Sequence, residues 1–590
     1  MVVAGVARGG EVTKHPRLEP LIVFLAAALF FILGATDRDL WTTGEHRYAE
    51  VARVLTAPGA DHLVPHLNGE IYPDKPPLFF WAAGAGHRLL GLDLPLSAKL
   101  PSILGGSFTV MLTFLLGRRW YGTAGGVAAV GVLATVELFD WASRMAHIDA
   151  FLTTLITTVL YCYVRADETP RQERGRRSLW TALGFLAVGL GILVKGPPAP
   201  FVPGITILVF LLWCAPRELV SPRFAWGALL ALLPGLLWSA AVVGHLGLDG
   251  AKAYLWGDLL HGQAIGHAAG EIDKQQPWFY YLWNVPLHLM PWTLFLPAAL
   301  WAALGRGRPE ERRTDRFLVA WLIAPWVLFS FSPAKRELYM VPIHPAAALL
   351  VARLFRDALE QPERLRDALV AFPRNALAVA GVAVGALVAL FAALVASGAD
   401  RSLLDAATAH VSPRLADWKP DWEHLRAELS TGLLLLAILL GALVAAAGVR
   451  AWRASTAARA GAALVAIAAG WNLLNAMVLW PARDADQSPR AFLEDVRARV
   501  GSAPVARLGR DGGLQYVVNW TLGRDHVDEF ENVKRAGDFL AKDPASPRYV
   551  VTDGKELGRF GVVPGAVEIL RRERHRGLDL VLLGNAAAAR

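Results

Sequence analysis

The stretch Tyr72–Trp81, YPDKPPLFFW, sets Asp74 and Lys75 side by side at the edge of an apolar run. Proline confines the residue before it to extended backbone, so Pro73 and Pro76 hold this acid–base pair stiffly. Four other segments also place charges against apolar sequence. WTTGEHRYAEVARVL (41–55) starts at Glu45 and reads as an amphipathic helix on the membrane surface, with Tyr48, Val51 and Leu55 on one stripe and Arg47, Glu50 and Arg53 elsewhere. RMAHIDAF (144–151) sets Asp149 about one residue into an apolar segment, a place where a purely structural acid is rare. WGDLLHGQAIGHAAGEIDKQQPWFYYL (256–282) offers His261 and His267 ahead of an aromatic run, and SPAKRELYMVP (332–342) puts Lys335 and Arg336 in a short turn.

The chemistry of such a set is definite. Carboxylates such as Glu45, Asp74 and Asp149 suit Mg²⁺ or Mn²⁺, and His261 would extend the set to Zn²⁺. Lys75, Lys335 and Arg336 suit a phosphate. A metal and cations beside lipid would hold a lipid-linked phosphate and stabilise it as a leaving group. Each segment also has a plainer reading. Thr42-x-x-Glu45 has the form of a capping box, Lys75 that of an interfacial anchor, and His147 that of an interfacial polar residue. Isolated loop histidines usually bind nothing, and Lys335 and Arg336 can pair with Glu337 or with lipid headgroups.

The elements that must position these residues follow from hydropathy. The 590 residues are 54% hydrophobic and 19% charged, and the apolar residues come in blocks. About thirteen windows approach the roughly 17–25 residues needed to cross hydrocarbon. They lie near 20–36, 101–117, 123–142, 148–164, 179–195, 197–214, 226–243, 289–304, 317–331, 338–355, 376–397, 431–449 and 460–480. The expected fold is therefore an all-α polytopic membrane protein. Arg8, Lys14 and Arg17 precede the first window, but its end, LGATDRDL, lacks a small-x-small cleavage pattern, so it reads as an uncleaved span.

Arginine-rich connections alternate with poorer ones: Arg118–Arg119, RADETPRQERGRR (165–177), Arg217 with Arg223, GRGRPEERRTDR (305–316), Arg353 to Arg374, and Arg450 to Arg459. By the positive-inside rule these face the cytoplasm. That explains the net charge of +8 without nucleic acid. The expected organisation is a cytoplasmic N-terminus (1–19), a transmembrane region (20–480) with outer loops 37–100 and 244–288, and an outer domain (481–590). In that last part PRAFLEDVRARV and VKRAGDFLAKD read as helices. APVARLG, LQYVVNW, PRYVVTDG and LDLVLLGN read as strands, so a small α/β domain is expected. Cys162 and Cys214 sit in different apolar blocks, which leaves no disulfide framework and no cysteine metal site. No phosphate-cradling glycine motif is present, as a nucleotide-driven pump would need.

The runs GEHRYAEVARVL, DHLVPHLNGEIYPDKPPLFFW, RMAHIDAF, GILVKGPPA, QPWFYYL…PW and AKRELYMVPIHP resemble the membrane glycosyltransferases of the GT-C class. The likeness covers most of residues 20–355 in order, and is nearest to the bacterial aminoarabinose transferases and the protein O-mannosyltransferases. It implies transfer of a sugar, with inversion, from a polyprenyl-phosphate donor such as undecaprenyl phosphate. The reaction would occur on the periplasmic or exterior face of the bacterial inner membrane, and the acceptor would be lipid A, another glycan or a protein. The branch's Asp–Glu pair is Gly44–Glu45 here, which leaves Glu45 alone to orient the acceptor or act as base. Its Glu-Lys-Pro is Asp74-Lys75-Pro76, its loop acid matches Asp149, its outer-loop histidine matches His261, and its Lys…Tyr matches Lys335 and Tyr339.

The resemblance thus implies Glu45, Asp149 and Lys75 as catalytic residues. Lys75, Lys335, Arg336, Arg47, Tyr48, Tyr72 and Tyr339 would bind the substrate phosphate. Asp74, Asp149 and His261 would hold a divalent metal (Mg, Mn or Zn). Two rival readings are a transporter or flippase of a lipid-linked sugar and a non-catalytic scaffold. The first calls for mid-span charges and broken helices in matching halves, whereas the acids here cluster at outer loops. The second leaves the loop charges unexplained.

Overall fold

The structure is a computed structural model. It describes residues 18–265, 275–305, 309–360, 368–402, 426–427, 429–509, 512–554, 557–558, 561–572 and 579–589. Arg8, Lys14, Arg17 and His267 lie outside the described residues, as does the side chain of His261. In hydrocarbon every backbone polar group must be satisfied within its own segment, so the apolar blocks form helices. All thirteen windows fall on helical backbone. Among the described residues, eight helices are long and apolar enough to cross a membrane, and nine if the bent pair Tyr280–His288 and Trp292–Gly305 (107°) counts as one span.

The difference from thirteen has physical causes. The helices Glu19–Ile32 (α1, 14 residues) and Pro198–Cys214 (α8, 17 residues) are short for a bilayer. Leu94–Ala134 (α4) contains most of two windows and bends at Gly122, whose φ of 73° a side chain would resist. Helix Arg312–Ser330 opens on Arg312, Arg313, Asp315 and Arg316.

The two ends of the bundle differ in chemistry. At one end, arginines meet acids between helices. Arg118 pairs with Glu19, Arg119 with Glu168, Arg313 with Asp167, and Arg356 with Glu311. These are the connections whose arginine content predicts the cytoplasmic side. The opposite end carries Thr43–Thr56 (α2), Leu78–Leu90 (α3), the start of Ile148–Glu168 (α6), the end of Arg174–Lys195 (α7) and the turn before His344–Glu360.

The apolar stripe of α2 packs against protein: Tyr48, Val51 and Leu55 are buried, because the helix sits between α3 and the helix Gly512–Leu522 of the C-terminal part. The segment 244–288, expected as a loop, begins with the end of Pro222–Ala251 (α9) and a π-helical run Lys252–Ile265.

Between α2 and α3 the chain makes a two-residue hairpin, His66–Leu67 (β1) against Glu70–Ile71 (β2). Asn68 (φ 54°) and Gly69 (φ 83°) supply the left-handed turn that suits such a hairpin. The Asn68 side-chain oxygen accepts from Val527 N and from Asn519 Nδ2, both at 2.8 Å, which fastens the hairpin to the C-terminal domain.

That domain is a five-stranded mixed sheet of order β4-β3-β5-β7-β6. Its strands are Val505–Leu508 (β3), Asp528–Phe530 (β4), Tyr549–Asp553 (β5), Val567–Arg572 (β6) and Leu580–Gly584 (β7). Alternate residues of β5 face opposite sides. Val551 packs with Phe492 and Leu493, and Val550 with Phe539 and Leu540. LQYVVNW, expected as a strand, is helical within Gly512–Leu522, while β4 and β6 have no counterpart among the expected strands.

Candidate active site

The site is built outward from the first turn of α2. Thr42 Oγ1 accepts from Glu45 N, and a Glu45 carboxylate oxygen accepts from Thr42 N, so both halves of the capping box are made. Glu45 does more than cap. It is fully buried, takes Arg38 in a two-pronged ion pair (2.7 and 3.1 Å), and accepts from Trp41 N and Ala146 N. Arg38 and these donors hold its carboxyl well below the usual carboxylate range against the opposing effect of burial. Five donors converge on its two oxygens and tie it into the fold. Its bond to Ala146 N fastens α2 to the RMAHID turn.

That turn carries the central cluster. His147 is pinned through its backbone, with N donating to Ser102 Oγ (3.2 Å) and O accepting from the same hydroxyl (2.7 Å). His147 Nδ1 meets Asp149 Oδ2 at 3.0 Å, and the other Asp149 oxygen is ion-paired to Lys195. The Lys195 ammonium lies 4.8 Å from the Tyr339 ring centroid, and the Tyr48 ring stands edge-on to His147 at 5.8 Å. Four separate segments thus converge on Asp149. Nε2 of His147 has no hydrogen-bond partner among the described residues. A Cβ on Gly44 would come within 3.6 Å of it, so a glycine at this position leaves the imidazole edge open.

Lys195 is the member of this cluster that the sequence reading passes over. Its signal is present in GILVKGPPA: a lone cation ends an apolar helix beside Gly196 and two prolines, at the end predicted to lie outside. The argument that singles out Asp149 applies to it equally.

A second centre adjoins the first through Arg47 and Tyr48. Arg47 ion-pairs with Asp74 at 2.8 Å and lies over the rings of Tyr48 (5.4 Å) and Tyr72 (6.0 Å). Tyr72 is buried, and its hydroxyl has no hydrogen-bond partner among the described residues. Lys75 Nζ donates to the Asp74 carbonyl at 2.7 Å. Tyr72 and Asp74 line a cavity of about 420 Å³ that Glu70, Tyr516, His526 and Glu529 complete, so the C-terminal domain forms one wall.

Lys335 and Arg336 do not join either centre. Lys335 is buried with its ammonium donating to the carbonyls of Gln276 and Ser332, where it braces the turn. Arg336 is exposed, and its backbone N and O bond the Tyr281 hydroxyl.

Of the expected metal set, Asp74 is paired with Arg47 and Asp149 with Lys195, while the side chain of His261 lies outside the described residues. A cation placed at either carboxylate would face a resident positive charge.

With this geometry in view, the chain can be set beside known proteins. It is similar to the undecaprenyl phosphate-alpha-4-amino-4-deoxy-L-arabinose arabinosyl transferase of Pseudomonas aeruginosa (strain LESB58), with 32% identity over 374 residues, 62% of this chain and 64% of that protein. The enzyme of the same description from Edwardsiella ictaluri is 30% identical over 328 residues, 55% of this chain and 57% of that one. The matched region therefore spans less than two thirds of the length of these curated relatives. The fold matches the crystal structure of ArnT from Cupriavidus metallidurans bound to undecaprenyl phosphate with a TM-score of 0.71 at 18% identity, over 97% of this chain and 99% of that one.

Residues 74–238, which carry Asp74, Lys75, His147, Asp149 and Lys195, match the family described as dolichyl-phosphate-mannose-protein mannosyltransferase. The resemblance drawn from the motifs thus holds in sequence and in fold: the chain is a multi-pass membrane protein of GT-C architecture, similar to the bacterial aminoarabinose transferases.

Proposed function

We propose that the protein transfers a sugar, with inversion, from an undecaprenyl-phosphate donor to an acceptor at the outer face of the inner membrane. The observation that carries this reading is the convergence of Lys195, Asp149, His147 and Tyr339 at the end of the bundle opposite the arginine-rich one. The relatives' printed description, which names an undecaprenyl-phosphate pentose, supports the donor class and favours a pentosyl unit. Lipid A is the leading acceptor by the resemblance, with glycan and protein acceptors as alternatives.

Each residue has a task. The bond from the anomeric carbon to the phosphate oxygen breaks, and the polyprenyl phosphate leaves with the electron pair. Lys195, with Lys75 and Arg47 nearby, stabilises that growing negative charge in a setting where water is largely excluded. Asp149 and the Tyr339 ring hold the Lys195 ammonium in place. Tyr48 and Tyr72 wall the sugar side, and Arg336 meets the headgroup at the rim.

His147 takes the role that the resemblance offered to Glu45. Asp149 orients its ring through Nδ1, and Nε2 accepts the proton as an acceptor hydroxyl attacks the anomeric carbon. The groups around the imidazole are Asp149 on α6, Tyr48 on α2, Trp141 on the helix Glu137–Arg144, and Lys195 on α7 beyond Asp149. His147→Gln is expected to slow transfer to a hydroxyl acceptor about 100-fold. Transfer to a phosphate acceptor, which brings no proton to remove, is expected to be unchanged. A hydroxyl acceptor used by His147→Gln at the wild-type rate would refute the assignment.

A further inference from the structure

A cluster of unpartnered polar groups lies at the arginine-rich end of the bundle, well away from the site above. Arg223, on the first turn of α9, is only 8% exposed, yet none of its three guanidinium nitrogens has a hydrogen-bond partner among the described residues. Its ionic neighbour Glu218 stands 3.5 Å off and is shared with Arg171 (2.9 Å) and Arg177 (3.3 Å). Close by, the buried Tyr163 hydroxyl, Trp180 Nε1 and Arg177 Nε are likewise unpartnered. Buried donors without acceptors cost free energy, and those gathered here call for a ligand rich in acceptor oxygens.

The surroundings define the rest of that ligand. Arg223, Tyr163 and Trp180 line an apolar cleft of about 310 Å³ between α6, α7, α8 and α9, walled further by Gly204, Leu208 and Leu211. Where the cleft meets the end of the bundle, a second, polar cavity of about 480 Å³ is lined by Arg171, Arg177, Arg217 and Arg313 against Asp167 and Glu218. Counting Arg223, five arginines face two carboxylates, so the cavity carries net positive charge beside a greasy slot. The N-termini of α7 and α9 open toward the same place and add their dipoles.

We infer that this cleft and its arginine cavity bind a membrane lipid with an anionic phosphate headgroup, its tail in the apolar slot and its phosphate on Arg223 and Arg177. The site is separate from the transfer site. Arg177 and Lys195 lie on the same helix, about 27 Å apart at 1.5 Å per residue, and so at opposite ends of a span. The bound phosphate supplies acceptors to the unpartnered guanidinium of Arg223 and ties α7 to α9. Anionic lipid on the arginine-rich side thereby becomes a structural component of the scaffold behind Lys195.

The test is native mass spectrometry of the full-length protein, delipidated in detergent and titrated with phosphatidylglycerol. The wild type is expected to retain one lipid tightly. Arg223→Ala is expected to weaken that binding at least about tenfold. Gly204 lines the slot and a Cβ there meets nothing within 4 Å, so Gly204→Trp has room to enter it and is expected to weaken binding equally. Should Arg223→Ala fail to fold, the Gly204→Trp protein decides the matter alone. Inorganic phosphate at millimolar concentration is expected to leave the retained lipid in place, because it lacks a tail. Lipid retention by Gly204→Trp at the wild-type level, or displacement of the lipid by inorganic phosphate, would overturn the inference.

Discussion

Lys195→Ala is expected to lower transfer at saturating donor by about 10²–10³-fold, the usual cost of removing one group aimed at charge that develops in the transition state. The Lys195 ammonium ends a membrane-spanning helix, is ion-paired to Asp149, lies over the Tyr339 ring, and sits within the segment that matches the mannosyltransferase family. Removing it also leaves Asp149 buried with only His147 beside it, so a loss of activity alone would be ambiguous. The double variant Lys195→Met with Asp149→Asn separates the two effects. Replacing both members of a buried pair is often neutral for stability, whereas breaking one costs several kcal/mol. The double variant is therefore expected to unfold near the wild-type temperature and still to transfer no sugar. Initial-rate assays and thermal unfolding on the same preparations check both halves.

Glu45→Ala is expected to act on the fold instead. It strands Arg38 at 0% side-chain exposure and removes an acceptor from Ala146 N, at a cost of about 3–5 kcal/mol. Arg38→Met with Glu45→Met is expected to recover most of that stability and a substantial part of the transfer rate. A catalytic Glu45 would give the reverse result, with normal unfolding and no transfer in both variants. The pH dependence has a definite sign. The folded state holds the Glu45 carboxyl below its unfolded value, so its contribution is fully present above the ordinary carboxylate range near pH 4 and is lost as pH falls through the lower folded value. Acid unfolding of the wild type is expected to be steeper below about pH 4 than that of the double variant.

How much of this was legible beforehand depends on the solvent that each part of the chain meets. The helices of the bundle were readable because hydrocarbon enforces helix wherever an apolar run is long enough, and the alternation of arginine-rich connections fits the chemistry at the two ends. Asp149 was readable for the same reason: an acid just inside an apolar helix needs a partner. The identity of the partner was not. Lys195 lies 46 positions away in sequence, and nothing local announces that the ends of α6 and α7 meet. For Glu45 the capping-box pattern was visible, but the arginine that saturates it could not be inferred from spacing.

LQYVVNW failed for another reason. Its β-branched and aromatic content suits a half-buried strand, and short apolar runs do not distinguish strand from helix. The segment is helical because it packs along α2, with Trp520 against Leu40 and Ala49, a tertiary contact that overrides local preference. The asparagine–glycine turn at Asn68–Gly69 is the opposite case, in which local chemistry alone accounts for the hairpin.

Sugar transfer at one face of the membrane can be followed in sealed vesicles. Protein reconstituted in them would be given undecaprenyl phosphate carrying a labelled sugar, with lipid A in the same leaflet on the side away from the arginine-rich connections. The account predicts label on lipid A, matched mole for mole by released undecaprenyl phosphate, and neither in the Lys195→Ala protein. Label that crosses the bilayer still attached to its undecaprenyl phosphate, with none released, would contradict it.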